Sequence, residues 1–380
     1  MPFMKNFCKS VLDFVKKQVV LVTAWILAIV SSLIMKPGLK DLVSFIDWRS
    51  LGILLSLMAV VQGFALNGFF QKVSVRITSS VNKVWQLVLA LVLMCFFFSM
   101  AITNDVSLIT FVPLTIMILD TAGLQDILIL TVVLETIAAN TGSMLTPIGN
   151  PQNLYLYNLM GLSPVAFIKI MLPYSVCSLV LLLVSVVFVR GRGEKVKVNA
   201  SVKKELPVNK SRIIVFALLG ILCLLSVFKV LPYYVSLAVV VIVLLFMERR
   251  ALKNVDYILL LTFIGFFIFT GNMRNNPVVS SALSSIVSGR EVIVGALVSQ
   301  VISNVPAALL LSGFASSLEG LTVGVNIGGL GTLIASMASL ISFRFYAATR
   351  NSRGGRYMAV FTAFNVLYLV ILYCLYILIR

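Results

Sequence analysis

The chain alternates long apolar runs with short polar stretches, and most of the runs are long enough to form membrane helices. A helix needs about 20 apolar residues to cross a bilayer. The pattern therefore predicts an all-α polytopic membrane protein. The apolar runs fall at about 19–35, 50–70, 84–103, 106–120, 127–160, 165–189, 213–229, 233–247, 256–271, 291–318, 321–343 and 357–379.

Two of these regions are interrupted by polar residues in a way that predicts re-entrant hairpins. Thr103-Asn104-Asp105 separates the runs 84–103 and 106–120, and Ser303-Asn304-Val305-Pro306 interrupts the run 291–318. A hairpin that enters and leaves on the same side needs only about 10–15 residues per arm at 1.5 Å rise per residue. With hairpins near 84–120 and 291–318, about nine crossings remain. The arm 84–103 is long for a hairpin, so two full spans stay open for the first pair.

A third region breaks the rules for a helix in lipid. The segment 135–153 reads ETIAANTGSMLTPIGNPQN and places Pro147, Gly149 and Pro151 close together. Proline removes a backbone donor and clashes with the preceding turn. Backbone freed in this way is tolerated at membrane depth only where it is buried in protein or lines a wet cavity. We therefore predict a broken helix here, and broken helices are typical of transporter binding sites.

The two halves of the chain match weakly but in order, which predicts an internal repeat. Residues 46–48 resemble 255–257, residues 102–106 resemble 302–306, and 140–143 resemble 326–329. We predict a first repeat at 1–189 and a basic cytoplasmic linker at 190–212. A connecting span and a second repeat follow at 213–380. The parity of the spans between them makes the repeats inverted, as in many secondary transporters.

The net charge of +17 is best explained by topology, because membrane proteins collect lysine and arginine in their cytoplasmic loops. With the N-terminus inside, 22 of the 30 basic residues lie in cytoplasmic segments. We expect a multi-pass protein of the cytoplasmic (inner) membrane that contacts lipid and does not bind nucleic acid. Lysines 5, 9, 16 and 17 precede Val19–Met35, which we interpret as a retained first span.

Composition argues against a resident metal and against catalysis. The chain has no histidine, and its five cysteines include no CxxC pair, so the sequence indicates neither a metal site nor a disulfide framework. It also lacks a P-loop. Intramembrane hydrolysis needs two meeting carboxylates or a metal cluster. We therefore predict a non-enzyme without cofactors.

The acidic residues divide into functional and structural candidates. Intramembrane carboxylates are expensive and usually functional. Asp105 at a predicted hairpin tip and Glu135 before the break are thus candidate cation sites or proton carriers, although Glu135 could instead form a cap or an ion pair near the surface. Glu319 is expected at the interface. Asp47 and Asp256 begin spans, where they complement helix N-termini.

The motifs TNDV, ANTGSMLTPIGNPQN, SNVP and NIGGLGTLIAS resemble the ion transporter superfamily. That superfamily includes the arsenite-pump and sodium/proton antiporter group, the citrate-transporter-like group and the divalent anion:sodium symporters. The resemblance implies two pseudo-symmetric sites, alternating access by elevator-like movement, and a homodimer. The first site would comprise Thr103, Asn104, Asn140, Thr141 and Gly142, and the second Ser303, Asn304, Asn326, Gly328 and Gly329, with Na⁺ expected at Asn104, Asn140, Asn304 and Asn326. Asp105 would be a further ion-binding residue beside the first site.

The resemblance points to a secondary transporter for a small anion coupled to Na⁺ or H⁺. A carboxylate such as citrate and an oxyanion such as arsenite both remain open as substrates. The symporters carry Ser-Asn-Thr at both tips, whereas this chain has Thr-Asn-Asp and Ser-Asn-Val and so lacks the third hydroxyl. The alternative is a Na⁺/H⁺ antiporter with Asp105 as the exchanging carboxylate.

Overall fold

The computed structural model describes residues 18–196 and 209–380, and within these ranges the fold is helical. We number the α-helices in chain order; two short 3-10 turns lie at Gln125–Ile127 and Val186–Phe188. The first half contains α1 Val19–Met35, α2 Leu39–Phe45, α3 Trp48–Leu66, α4 Phe69–Thr78, α5 Val84–Ile102, α6 Asn104–Thr121, α7 Leu128–Ser143, α8 Pro151–Met160 and α9 Pro164–Ser185. The second contains α10 Lys210–Val227, α11 Tyr233–Met247, α12 Arg249–Lys253, α13 Tyr257–Arg274, α14 Pro277–Val287, α15 Glu291–Ile302, α16 Asn304–Leu311, α17 Leu318–Gly328, α18 Met337–Ala347 and α19 Gly354–Ile379.

The length and hydropathy of these helices make the chain a polytopic membrane protein. Eight described helices are long and apolar enough to cross a bilayer, or nine when α14 and α15 are counted as one span. The outer faces are apolar as well: Ile214 and Leu218 of α10, about one turn apart, are each 60% exposed. Apolar side chains that face outward along a helix are expected where the surrounding solvent is lipid.

The first-half core is a bundle in which α5 and α6 both pack against α7. The chain leaves α7 at Ser143 and starts α8 at Pro151, so the break lies where the prolines predict it. Proline at the first position of α8 costs no hydrogen bond, because that N–H has no helical partner in any case. The Asn150 side chain caps α8 by accepting from the Asn153 N–H at 2.9 Å.

The second half uses the same order of elements. Here α15 and α16 both pack against α17, and a break at 329–336 separates α17 from α18. The arms α15 and α16 have 12 and 8 residues, which suits a re-entrant hairpin, whereas α5 and α6 have 19 and 18. The hairpins and the inverted relationship of the halves stay predictions.

Four helices were absent from the hydrophobic pattern: α2, α4, α12 and α14. They are short or rich in polar residues, so their sequences do not form apolar runs. The helix α14 carries four serines and is bent by 104° from α15. It therefore extends the second half on the N-terminal side of the predicted hairpin.

Both predicted acidic helix starts are confirmed. Asp47 accepts a hydrogen bond from the Ser50 N–H at the start of α3, and Asp256 accepts one from the Leu259 N–H at the start of α13, each at 3.0 Å. These side chains satisfy amide groups that would otherwise lack a partner in the first helical turn.

The predicted linker is tied to the start of α5 over its described part. Main-chain bonds join the Val84 N–H to Glu194 O and the Val196 N–H to Asn82 O, each at 3.0 Å. The first residues of the linker therefore form a short connection with the helix entry. The rest of the linker from 197 to 208, and the basic N-terminal residues 1–17, lie outside the described residues.

Candidate functional site

The two predicted tips have nearly the same backbone geometry. Thr103 has φ 72° and ψ 152°, and Ser303 has φ 76° and ψ 153°. This region of backbone space is essentially reserved for glycine, and other residues there carry strain of about 1–3 kcal/mol. Each following N–H bonds to the break of its own half: Asn104 N donates to Gly149 O at 3.1 Å, and Asn304 N donates to Ala335 O at 2.9 Å. Each tip is therefore fixed against a broken helix.

In the first half, the structure brings the two predicted asparagines together. Asn104 Nδ2 donates to Asn140 Oδ1 at 3.0 Å, and both residues are at most 5% exposed. The same Asn140 oxygen accepts from Ser336 Oγ at 3.0 Å, at the start of α18 in the second half. The predicted first site thus includes a hydroxyl from the second break.

In the second half, the predicted pair does not meet by a direct hydrogen bond. Asn326 bonds instead to the first break: its Oδ1 accepts from Asn150 Nδ2 at 3.1 Å, and its Nδ2 donates to Asn153 Oδ1 at 2.6 Å. Asn304 lies beside Gly329, where an added Cβ would meet Asn304 Nδ2 at 2.7 Å. Ser143 links this group to the pair of Asn104 and Asn140, because its hydroxyl accepts from Asn150 Nδ2 at 3.3 Å and donates to Asn140 O at 2.9 Å. The buried amides therefore form one cluster that spans both halves, which we call the amide cluster; it comprises Asn104, Asn140, Asn150, Asn153 and Asn326.

Side-chain amides also satisfy the backbone freed at each break. Asn153 Nδ2 lies within 3.3 Å of the carbonyl oxygens of Ser143, Met144 and Thr146. In the second break, Gln300 Nε2 donates to the carbonyls of Gly328 and Leu330, at 2.8 and 2.9 Å. Unpaired carbonyls in a membrane protein cost free energy, so these bonds stabilise the interrupted helices. Sequence reasoning missed Gln300, which lies in an otherwise apolar arm.

The predicted glycines pack rather than line open space. A Cβ on Gly142 would lie 2.1 Å from Phe96 O, and one on Gly328 would lie 2.7 Å from Ala296 Cα. Both glycines allow the helix before the break to touch the preceding arm. Thr141 uses its hydroxyl within its own helix, donating to Ile137 O at 2.8 Å.

Gln152 has a buried carboxamide in which both polar atoms lack a partner. It is 1% exposed, and neither Oε1 nor Nε2 has a hydrogen-bond partner within the described ranges. Leaving a buried polar group unpaired costs about 1–3 kcal/mol. Its position directly after Pro151 was the signal available in the sequence. A side chain that can both donate and accept is thus available to a ligand beside the amide cluster.

The two candidate acids occupy different places. Asp105 follows the first tip, is half-buried, and has a buried Oδ1 without a hydrogen-bond partner in the described chain. Glu135 is 0% exposed inside α7 and bonds to Thr115, so it does not serve as a surface cap. Glu319, expected at the interface, is exposed in the first turn of α17.

Comparisons with known proteins agree with this architecture. The family model described as citrate transporter matches residues 14–321. An uncharacterized transporter of Methanocaldococcus jannaschii is 32% identical over 86% of this chain and 88% of its own length. The inner membrane protein YbiR of Escherichia coli is 31% identical over 79% of this chain and 80% of its own length. The P protein of Mus musculus is 30% identical over 32% of this chain and 14% of its own length. The chain therefore belongs to the citrate transporter family and is a multi-pass membrane transporter.

Proposed function

We propose that this protein is a secondary active transporter that moves a small anion across the inner membrane, coupled to Na⁺ or H⁺. The substrate would be a carboxylate such as citrate or an oxyanion such as arsenite. The observation that carries the proposal is the amide cluster, which joins both broken helices beside the unpaired carboxamide of Gln152.

The chemistry of the cluster suits an anion together with a coupling cation. Four helices begin at these tips and breaks: α6 at Asn104, α8 at Pro151, α16 at Asn304 and α18 at Met337. Helix N-termini present free N–H groups and a partial positive charge, which favour anions. The helices that end at the same breaks and tips, α5, α7, α15 and α17, present carbonyl oxygens, which favour Na⁺.

The position of the cluster between the halves supports a mechanism of alternating access. Asn140 contacts the second break, and Asn326 contacts the first. Movement of the tips and breaks as one body, against a scaffold formed by the remaining spans, would carry the bound anion across. We further propose that the protein acts as a homodimer.

The test is transport by the full chain in proteoliposomes. Radiolabelled citrate and arsenite are supplied in turn, with and without an inward Na⁺ or H⁺ gradient. We expect gradient-driven uptake of one of them, lost in Asn140→Ala and retained in Asn67→Ala, whose side chain donates to Gly63 O in α3. No uptake of any small anion by the wild type would refute the proposal.

A Na⁺/H⁺ antiporter is the second candidate, because Asp105 has a buried and unpaired Oδ1. It predicts proton movement after a Na⁺ pulse with no anion present, abolished by Asp105→Asn. Proton movement that appears only with an added anion would exclude it.

A further inference from the structure

Glu135 is a buried carboxyl group that the amide cluster does not use. It lies on α7, five residues before Asn140, and is 0% exposed. One oxygen accepts from the Thr115 hydroxyl at 2.5 Å, and the other has no hydrogen-bond partner in the described chain. The salt bridge found in residues 18–196 and 209–380 joins Arg212 to Glu248, so no basic residue there pairs with Glu135.

An ionised Glu135 carboxylate would have no positive charge beside it to offset the cost of its burial. Burying a charge without a partner costs several kcal/mol even after relaxation. Glu135 therefore needs a proton or a metal cation. Helix α5 contributes Cys95 beside it, and Thr115 on α6 is the hydroxyl in contact. A thiol is a soft ligand, and one hydroxyl is too few oxygen ligands for a hard cation such as Na⁺. The groups around Glu135 therefore suit the binding of a proton rather than of a metal cation.

The other helices packed on α7 bring no charge to Glu135. Helix α19 presents Tyr357, the titratable side chain that faces Glu135 from that side. Helix α9 touches α7 through Ser175, which bonds to Thr141 O at 3.2 Å. The charged side chains of α9, α17, α18 and α19, namely Lys169, Glu319, Arg344 and Arg356, are all exposed.

Two stacked tyrosines connect the surroundings of Glu135 to a cavity. A cavity of about 960 Å³ lies where α6 and α7 meet the connection between α18 and α19, and Tyr346, Asp120 and Arg353 are among its lining residues. Tyr346 stacks on Tyr357 with ring centroids 4.8 Å apart and an interplanar angle of 23°. The Tyr357 hydroxyl is buried, lacks a hydrogen-bond partner in the described chain, and lies next to Thr136, the neighbour of Glu135.

We propose that Glu135 is a proton-binding site separate from the amide cluster, loaded from this cavity through Tyr357, and that its proton moves with the anion. This inference rests on the proposed function and names H⁺ as the coupling ion. A hydronium ion that enters from the cavity gives a proton to the Tyr357 hydroxyl oxygen and leaves as water, while the hydroxyl releases its own proton to the free Glu135 oxygen. When the site faces the opposite side of the membrane, the proton leaves Glu135 by the reverse of these transfers.

The first experiment needs no substrate. Infrared difference spectra of the purified full chain, recorded between acid and alkaline pH, detect the carbonyl stretch of a protonated carboxyl. We expect a band at neutral pH that is absent in Glu135→Gln and retained in Glu319→Gln, whose parent side chain is exposed. An unchanged band in Glu135→Gln would overturn the proposal whether or not citrate is transported.

The second experiment links the proton to transport. Proteoliposomes that contain a pH-sensitive dye receive radiolabelled citrate in Na⁺-free buffer. We expect proton entry with citrate in the wild type and in Tyr368→Phe, a buried tyrosine of α19 that bonds to Ser185 instead. Loss of proton entry is expected in Glu135→Gln, and slower entry in Tyr357→Phe. The variant Glu135→Asp, which keeps a carboxyl group, should restore proton entry and controls for folding.

The other possible results separate failure of the proton assignment from failure of the proposed function. Citrate uptake that requires Na⁺, with no proton entry, would overturn the proton assignment in favour of a sodium site. Proton-coupled uptake that persists in Glu135→Gln would overturn the role of this residue. If the wild type moves neither citrate nor any other small anion, the proposed function fails and with it the coupling, while the infrared band still decides whether Glu135 binds a proton.

Discussion

Thr103 and Ser303, 200 positions apart, hold the same strained backbone conformation, with φ 72° and 76° and ψ 152° and 153°. In each case the side-chain oxygen of the following asparagine accepts a hydrogen bond from the next backbone N–H. Asn104 Oδ1 accepts from Asp105 N at 3.0 Å, and Asn304 Oδ1 accepts from Val305 N at 2.9 Å. Two unrelated turns would not be expected to share both features. The strain persists because the backbone N–H of each asparagine donates to a carbonyl oxygen of the facing break.

The strain at Thr103 leads to a first prediction, that Thr103→Gly stabilises the protein. Relief of strain is worth about 1–3 kcal/mol, and the greater freedom of glycine in the unfolded chain costs about 0.5–1 kcal/mol. The expected net gain is roughly 1 kcal/mol, seen as a higher unfolding temperature in detergent. The matched control is Ser281→Gly, an exposed position inside α14, which should lose stability. A lower unfolding temperature for Thr103→Gly would show that the turn is not strained.

The second prediction concerns the close approach of helices at Gly142 and Gly328. Alanine at Gly142 would place its Cβ 2.1 Å from Phe96 O, so α5 and α7 would have to separate. We expect Gly142→Ala and Gly328→Ala each to cost about 1–3 kcal/mol, as overpacking does elsewhere. Gly220→Ala in α10 is the control, because its new Cβ would meet Val60 Cγ1 at 3.9 Å, an ordinary contact. Thermal unfolding of the three variants measures the difference, and equal behaviour would contradict the packing argument.

The sequence was sufficient for those features that depend on local chemistry. Pro147 and Pro151 predict the first break, and Asp47 and Asp256 predict two helix starts. It was not sufficient to predict which buried side chains hydrogen-bond to one another across helices. Asn326 bonds to Asn150 and Asn153 because of how α8 packs on α17, and spacing along the chain does not encode that contact. The bond between Thr115 and Glu135, which joins two helices, is likewise not encoded by spacing along the chain.

A third prediction is that Gln152→Leu separates stability from function. Removing a buried carboxamide without partners should stabilise the ligand-free protein by about 1 kcal/mol or more. Anion uptake should fall, because the ligand loses a donor and an acceptor. The neighbouring Asn153→Leu is the comparison: Asn153 satisfies three break carbonyls, so its loss should lower the unfolding temperature. Unfolding and uptake assays on both variants test this, and destabilisation by Gln152→Leu would mean that its carboxamide is paired within the protein.

The final prediction is that the bond between Asn150 and Asn326 couples the two halves energetically. The bond is buried and spans 176 residues of sequence. In a double-mutant cycle, Asn150→Ala and Asn326→Ala should show a coupling energy of about 0.5–3 kcal/mol, as contacting residues do. The control cycle pairs Asn326→Ala with Asn67→Ala, whose side chain bonds to Gly63 O in α3 and shares no hydrogen bond with the cluster. Distant, independent sites are additive within about 0.5 kcal/mol. Equal additivity in both cycles would mean that the halves meet at this point without supporting one another, and the case for a single moving body built from both breaks would be lost.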